Sequence, residues 1–341
     1  MWPARSADQA APPPSSVPGS VLLDERSADE LVANTAEGGS LASPAIYTID
    51  LRKEFQRTVA LEALSMTVRR GEIFGFLGPN GAVKTTAVKL LLGLVHPTGG
   101  EAMVLGAPAG DVETRRRIGY LPELFRFQAW LTAREVLLLH CRLLKLPSGR
   151  WPVLVTEALS TVGLSVRGDG KVGGFSKGMQ QRLGLGVALL GDPELVVLDE
   201  PTSALDPVGR HHVREIILAL RSRGTTVFLN THLLEEVEYV CDRAAVIDKG
   251  QTIATGTLAE LVGKQSSVRL QVSDLEGRWW ERLRGFGTWT AEDGWLVVSG
   301  IEAGKVPDLV RTVVDLGGRI AAVVPEHKSL EDRFLELLGQ S

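Results

Sequence analysis

The sequence predicts an α/β domain with a mostly parallel sheet, followed by a small α+β domain. Three observations carry this reading. Strand and helix candidates alternate from Ile46 to Gly263, the pattern that builds a parallel sheet flanked by helices. Within that stretch, at residues 72–95, a short apolar strand runs into a glycine-containing loop and then an apolar helix. Past Gly263 the order becomes strand, helix, hairpin, helix, strand, helix, in a segment holding four of the seven tryptophans.

The elements follow in chain order. Residues 1–45 are rich in Ala, Pro, Ser, Gly and acids, with Pro12, Pro13 and Pro14 in a row. Such a segment buries too little apolar surface to offset its ordering entropy, and disorder is expected. Strands are expected at Ile46–Leu51, Glu72–Leu77, Leu195–Leu198, Thr226–Leu229 and Ala244–Ile247, stretches of strand length rich in apolar residues. An almost wholly apolar helix is expected over Lys84–Val95. Thr132 and Glu135 form a capping box that opens a helix running to about Leu144. Ser176 is a natural N-cap for a helix running to Leu190. Asp206 caps a helix at Pro207–Arg223, with proline at its first position and Gly224 just past its end. The domain boundary falls near 263–267, giving units of 46–263 and 264–341. In the second unit Asp293-Gly294 reads as the hairpin turn. Trp279, Trp280, Trp289 and Trp295 read as its core rather than as a ligand platform.

Composition narrows the class. The chain has 341 residues, 44% of them hydrophobic and 23% charged, an ordinary soluble composition with room for a sizeable core. A net charge of −4 offers no global attraction to nucleic acid, and no nucleic-acid partner is expected. Cys141 and Cys241 form no close-spaced pair, so neither a zinc site nor a disulfide framework is suggested, and both read as buried apolar groups in a reducing compartment. No run approaches the ~18–20 apolar residues that span a bilayer, and no secretory signal is visible. The expectation is a cytoplasmic protein whose action on any membrane process requires a separate membrane-spanning partner.

The chemistry concentrates at three places. Gly78-Pro79-Asn80-Gly81-Ala82-Val83-Lys84-Thr85-Thr86 follows the phosphate-loop pattern Gly-x-x-x-x-Gly-Lys-Thr, except that Val83 stands where the second glycine belongs. Such a loop closes backbone N–H groups on a nucleotide's phosphates, with the following helix N-terminus pointing at them. Lys84 would reach the β- and γ-phosphates and Thr85 would ligate Mg²⁺. Leu195–Leu198 ends in Asp199-Glu200, which places one carboxylate beside Mg²⁺ and another where it polarises an attacking water. Phe175-Ser176-Lys177-Gly178-Met179-Gln180 sets a hydroxyl, a close-approach glycine and a helix N-terminus together as an anion site.

With these motifs in this order, the chain over about 46–263 resembles the nucleotide-binding subunit of an ABC transporter, a P-loop ATPase domain with a helical insert. The resemblance implies further assignments. Phe55 falls at the aromatic that stacks on adenine, although a core aromatic is nearly as good a reading of the residue itself. Glu123 takes the loop position, usually Gln, that contacts Mg²⁺ and the attacking water; Glu keeps the oxygen but adds charge. Asp206 matches the loop that communicates across a dimer, and His232 the switch histidine that contacts the γ-phosphate. Ser176, Gly178, Met179 and Gln180 would complete the ATP site of a second nucleotide-binding subunit, a homodimer being the simplest arrangement. ATP and Mg²⁺ are the implied cofactors, and a membrane-spanning permease the implied partner, holding the protein at the inner face of the membrane. The insert aromatics Phe125, Phe127 and Trp130 either pack the insert or receive that permease. The ending Ser329–Gly339 resembles the closing helix of an accessory domain on bacterial drug-resistance-type exporter ATPases. The implied function is an ATPase energising export; the alternatives are a regulatory subunit with little turnover and a soluble ABC-type ATPase outside transport.

Val83 is the departure from the pattern. A β-branched residue forced to positive φ costs about 1–3 kcal/mol. Strain of that size would weaken ATP binding roughly 5- to 150-fold. The expectation is therefore impaired rather than abolished turnover.

Overall fold

The structure is a computed structural model and describes residues 43–79, 82–262, 266–274, 279–292, 294–327 and 329–339. The expected disorder over 1–45 lies outside these residues except for its last three. Of those, Ala45 is already built in: its N–H donates to the Val68 carbonyl and its own carbonyl accepts from Leu105.

The chain opens with β1 (Ile46–Phe55) and β2 (Thr58–Val68), an antiparallel hairpin turned at Gln56 with φ 53°. Next come β3 (Ile73–Leu77), α1 (Ala82–Leu91), β4 (Gly99–Val104), β5 (Ala107–Pro108), α2 (Val112–Arg115) and β6 (Ile118–Leu121). Helix α1 starts two residues before the expected Lys84 and stops at Leu91, because Gly93 takes φ 64° and turns the chain out of the helix. The helical segment holds α3 (Ala133–Leu143), capped by the Thr132–Glu135 box, then α4 (Trp151–Thr161) and α5 (Lys177–Ala188). The remainder of this part is β7 (Leu195–Asp199), α6 (Pro207–Ser222), β8 (Thr226–Asn230), α7 (Leu234–Val240), β9 (Arg243–Asp248), β10 (Gln251–Thr257) and α8 (Leu258–Val262).

One ten-stranded sheet runs β5-β4-β1-β2-β10-β9-β3-β8-β7-β6. Its half from β9 to β6 is parallel throughout. The other half departs from the expected mostly parallel sheet: β1, β2, β4 and β5 pair antiparallel, and β10 pairs antiparallel with β9. A two-residue turn between β1 and β2 leaves no room for a parallel crossover, so the hairpin dictates the antiparallel order. The parallel strands are buried on both faces. Ile73, Leu77, Val196, Leu198, Val227 and Leu229 join the core shared with α3–α7, while Phe74, Phe76, Val197 and Phe228 pack with α1, β1 and β2 on the other side.

The C-terminal elements are β11 (Ser266–Ser273), α9 (Trp279–Leu283), β12 (Thr288–Glu292), β13 (Trp295–Ser299), α10 (Val306–Asp315), β14 (Arg319–His327) and α11 (Leu330–Leu337). Their antiparallel sheet, β12-β13-β11-β14, packs Val268, Leu270 and Val298 against Leu283, Leu309 and Val313. Glu292 pairs with Trp295 at the hairpin, where Gly294 takes φ 82°; Asp293 lies outside the described residues. Trp279 and Trp289 enter this core edge-to-face, with centroids 6.0 Å apart. The other two tryptophans correct the core expectation: Trp280 is exposed, and Trp295 carries the Arg269 guanidinium over its ring at 5.0 Å.

Candidate functional site

The parallel strands β3, β6, β7 and β8 end on one edge, and the candidate residues stand just past those ends. Open α/β sheets bind ligands there, outside the carboxyl ends of the strands. Lys84, Thr85, Glu123, Asp199, Glu200, Ser203, Asn230 and His232 line a cleft of about 200 Å³. Six of these eight are residues the sequence singled out.

Gly78 leaves β3 tightly against β9: a Cβ there would stand 2.7 Å from the Ile247 carbonyl oxygen. Lys84, only 5% exposed, donates from Nζ to the Gly78 carbonyl at 2.9 Å, so the loop's first residue and its lysine are tied. Burial pulls the Lys84 ammonium below its ordinary range, opposed by the charges of Glu200, Asp199 and Glu123. Pro79 is exposed, and Thr86 is buried behind the half-buried Thr85. Asn80 and Gly81 lie outside the described residues.

Val83 corrects an expectation. It stands in the first turn of α1, with helical rather than positive φ, and its side chain packs half-buried against the core beneath the loop. The backbone strain expected of it is therefore absent. The reason is that α1 begins at Ala82, so the position before the lysine is already inside the helix.

The acids end β7 and are gripped by β8. Asn230 Nδ2 donates to Asp199 Oδ1 at 2.5 Å, and the Glu200 N–H donates to the Asn230 carbonyl at 2.9 Å. Burial pushes the Asp199 carboxyl up, against the lowering effect of the Asn230 hydrogen bond; Glu123 and Glu200 push it further up. Glu200 takes φ 51°. Its Oε1 accepts from the His232 N–H at 3.1 Å and faces His232 Nδ1 at 2.9 Å. Its Oε2 is buried without a hydrogen-bond partner, as is Asn230 Oδ1. Tyr120 on β6, half-buried, has its hydroxyl pushed up to about 12 by burial and by the charges of Asp199 and Glu123. The cleft is thus acidic, with Lys84 its buried cation.

Among the described residues no group of three or more His, Cys, Asp and Glu side chains could hold a metal ion. Thr85, Glu123 and Asp199 instead offer a hydroxyl and carboxylates. That set suits Mg²⁺, which takes one or two carboxylates and completes its shell with phosphates and water. The partnerless buried acceptors Glu200 Oε2 and Asn230 Oδ1 fit a site that receives hydrated groups.

The remaining candidates are not in the cleft. Ser176 caps α5, its Oγ accepting from the Met179 N–H at 3.2 Å. Gln180 Nε2 donates to the Phe175 carbonyl at 3.3 Å, and Gly178 abuts Leu205, 3.3 Å from where its Cβ would stand. Asp206 caps α6 by accepting from the Gly209 N–H at 2.8 Å. Phe55 is half exposed with Lys53 Nζ 4.8 Å from its ring centroid, which removes the core alternative. In the insert, Phe125 and Phe127 pack together against the core with centroids 5.2 Å apart, whereas Trp130 is 71% exposed.

Sequence reasoning missed Asn230, Ser203, Tyr120 and Gln181. Buried Gln181 on α5 donates from Nε2 to the Glu200 carbonyl at 3.3 Å, and Ser203 Oγ donates to the same carbonyl at 3.1 Å. A polar residue closing the apolar run of β8 was the available signal for Asn230; Gln181 and Tyr120 carried none.

A family model described as ABC transporter matches residues 61–203. The chain is 41% identical over 304 residues to an uncharacterized ABC transporter ATP-binding protein of Nostoc sp., covering 85% of this chain and 88% of that one. It is 35% identical over 316 residues to the Nod factor export ATP-binding protein I of Rhizobium meliloti, covering 91% and 92%. Among solved structures it is similar to an ATP-binding subunit of an ABC transporter, with a TM-score of 0.59 at 30% identity over 64% of this chain and 91% of that one. A second is cbiO1 of Clostridium perfringens, part of the ABC transporter complex cbiONQ, with a TM-score of 0.56 at 25% identity over 63% and 89%.

Proposed function

The chain belongs to the ABC transporter ATP-binding proteins, and from that premise we propose that it hydrolyses ATP in the β3–β7–β8 cleft to energise an exporter. The observation that carries the reading is the juxtaposition of Lys84, Asp199, Glu200 and His232 around one cleft, each at the end of a parallel strand or on the helix after one.

Lys84 and the N-terminus of α1 hold the β- and γ-phosphates. Thr85, Asp199 and Glu123 are the residues that would hold Mg²⁺, which supplies charge neutralisation across the phosphates when bound. Glu200 accepts the proton of the attacking water on Oε2, the oxygen left free while His232 occupies Oε1. A carboxylate only accepts, so Nδ1 of His232 carries the proton in that contact, and Nε2 donates to the γ-phosphate when it too carries a proton. Phe55, exposed at the end of β1, stacks on the adenine.

Ser176, Gly178, Met179 and Gln180 stand outside the cleft of their own chain, which supports a composite site completed by a second copy, with Asp206 beside that junction. Export rather than import is supported by relatives named for export. The permease docks on the insert at exposed Trp130 and Leu124, the latter 87% exposed. Among the described residues no helix is long and apolar enough to cross a membrane, in keeping with a separate permease that holds the chain at the inner face. Val83, packed against the core and without the backbone strain, would lower turnover only slightly.

Mg²⁺-dependent hydrolysis by the wild-type chain, Glu200→Gln and Val83→Gly tests the proposal. Glu200→Gln should lose at least about 100-fold in kcat while still binding ATP. Val83→Gly should gain less than about tenfold in affinity, under ~1.4 kcal/mol. Co-purification with an integral membrane protein, weakened by Trp130→Ala, tests the coupling. A wild-type chain with turnover no greater than Glu200→Gln would overturn the enzymatic reading.

A further inference from the structure

The geometry assigns a role to Asn230: it is a positioning residue that aims Asp199 with its amide nitrogen and presents its amide oxygen to a water of the cation's hydration shell. The inference rests on the ATPase reading of the cleft and adds a residue to it.

Asn230 is the last residue of β8, paired in parallel register with Asp199 at the end of β7. It is 1% exposed, yet it lines the cleft. Its main chain and side chain hold different acids: the carbonyl accepts from the Glu200 N–H, and Nδ2 donates to Asp199 Oδ1. Because an ionised carboxylate only accepts, the nitrogen of the amide must face Asp199 and the oxygen must face away from it. That oxygen, Oδ1, is buried and has no hydrogen-bond partner.

A buried acceptor without a donor is costly, and folded proteins retain few of them. The acidic cleft explains which donor fits. Its charged groups are Lys84, Glu123, Asp199 and Glu200, so acceptors outnumber the one buried cation, and Lys84 Nζ is already engaged with Gly78. Mg²⁺ keeps several waters when bound through one or two carboxylates, and each bound water is a polarised donor. An amide oxygen beside the carboxylate that ligates the ion is placed to receive one. Asn230 would also restrict Asp199 to one rotamer, leaving its second oxygen for the ion, as outer groups orient ligands in metal sites generally.

The test uses the full-length protein with Asn230→Leu, which keeps volume and removes both polar atoms, and Asn230→Ser, which restores a shorter donor and acceptor. Mn²⁺ binding is measured by electron paramagnetic resonance on protein carrying a non-hydrolysable ATP analogue. Asn230→Leu should bind Mn²⁺ about tenfold more weakly and lose about tenfold in kcat at saturating Mg²⁺, in the range outer-shell groups command. Its affinity for ATP in EDTA should stay within about twofold, and Asn230→Ser should recover part of the Mn²⁺ affinity. If Asn230→Leu does not fold, the comparison of Asn230→Ser with wild type decides, at about threefold weaker Mn²⁺ binding. Mn²⁺ affinity within twofold of wild type in the variant that folds would overturn the inference. So would loss of metal-free ATP affinity in equal proportion, which marks a packing role. A wild-type chain that binds Mn²⁺ in this way but hydrolyses nothing would sink the ATPase reading while leaving the role of Asn230 standing.

Discussion

At the scale of single residues, the site turns on how Glu200 is held. A non-glycine residue at φ 51° persists only where its surroundings fix it. Here the Glu200 N–H is bound by Asn230, its carbonyl by Ser203 and Gln181, and its carboxylate by His232. Gln181 lies on the same helix whose start, Ser176 to Gln180, is proposed to serve the other copy's ATP. One amide therefore joins the helix of one proposed site to the acid of the other. Losing a single neutral hydrogen bond costs about 0.5–1.5 kcal/mol. If that cost falls on the position of Glu200, Gln181→Leu should lower kcat by about two- to tenfold, with the ATP dissociation constant unchanged. Steady-state turnover beside a nucleotide titration checks this; unchanged kcat would reduce Gln181 to a space-filler. Linear motifs pointed to Lys84, Asp199 and Glu200 because their chemistry is written among close sequence neighbours, whereas His232 entered through the family resemblance. The partners of Asn230 and Gln181 were not readable in this way, because they lie 31 and 19 positions away, across pairings that only the fold creates.

At the scale of elements, β6 and α5 meet across two glycines that differ in what they face. A Cβ on Gly119 would stand 1.9 Å from the Ala188 carbonyl oxygen, so main chain would have to move. A Cβ on Gly184 would stand 2.7 Å from Leu121 Cδ1 and 2.8 Å from Phe125 Cζ, the ends of side chains that can shift. Overpacking typically costs about 1–3 kcal/mol and more where backbone must move. Alanine in a helix also returns up to ~1 kcal/mol over glycine, a gain open only to Gly184. Gly119→Ala should therefore destabilise by about 3 kcal/mol or more, and Gly184→Ala by less than about 2 kcal/mol. Urea midpoints at constant m-value measure both, and the reverse order would show that the β6–α5 contact is softer than its geometry. The identity of β3, β7, β8 and β9 was legible because strands buried on both faces read as short apolar runs. Of the antiparallel half only β1 was legible, since β2, β4 and β10 mix polar and apolar residues and their pairing follows from turns and crossovers. The C-terminal order of elements was legible from punctuation, while the exposure of Trp280 and the half-buried place of Trp295 depended on which face of the sheet the helices cover.

At the scale of the whole molecule, the C-terminal unit is tied to the segment that follows His232. The Ser329–Asp332 capping box starts α11, and the Leu330 N–H donates to Glu238 on α7. Helix α11 packs on α7 and α8, with Leu330 fully buried and Phe334 and Leu337 against the same core as β3, β7 and β8. Helix α7 in turn rests on Gly75 of β3, where an added Cβ would stand 2.9 Å from Val237 Cγ1, and β3 leads into the loop that starts at Gly78. Arg214 of α6 holds Glu235 and Glu236 of α7 from the opposite side. The helix behind His232 is therefore clamped between α6, β3 and α11, although the C-terminal sheet keeps a core of its own around Leu270 and Leu309. Truncating a buried leucine costs about 2–5 kcal/mol, charged to the core that loses it. Leu330→Ala should consequently lower the unfolding midpoint of the ATPase unit and speed amide exchange in α7, leaving β11–β14 protected as before. Exchange that rises only in the C-terminal sheet, with α7 unchanged, would mean that α11 belongs energetically to its own domain and does not brace the segment carrying His232.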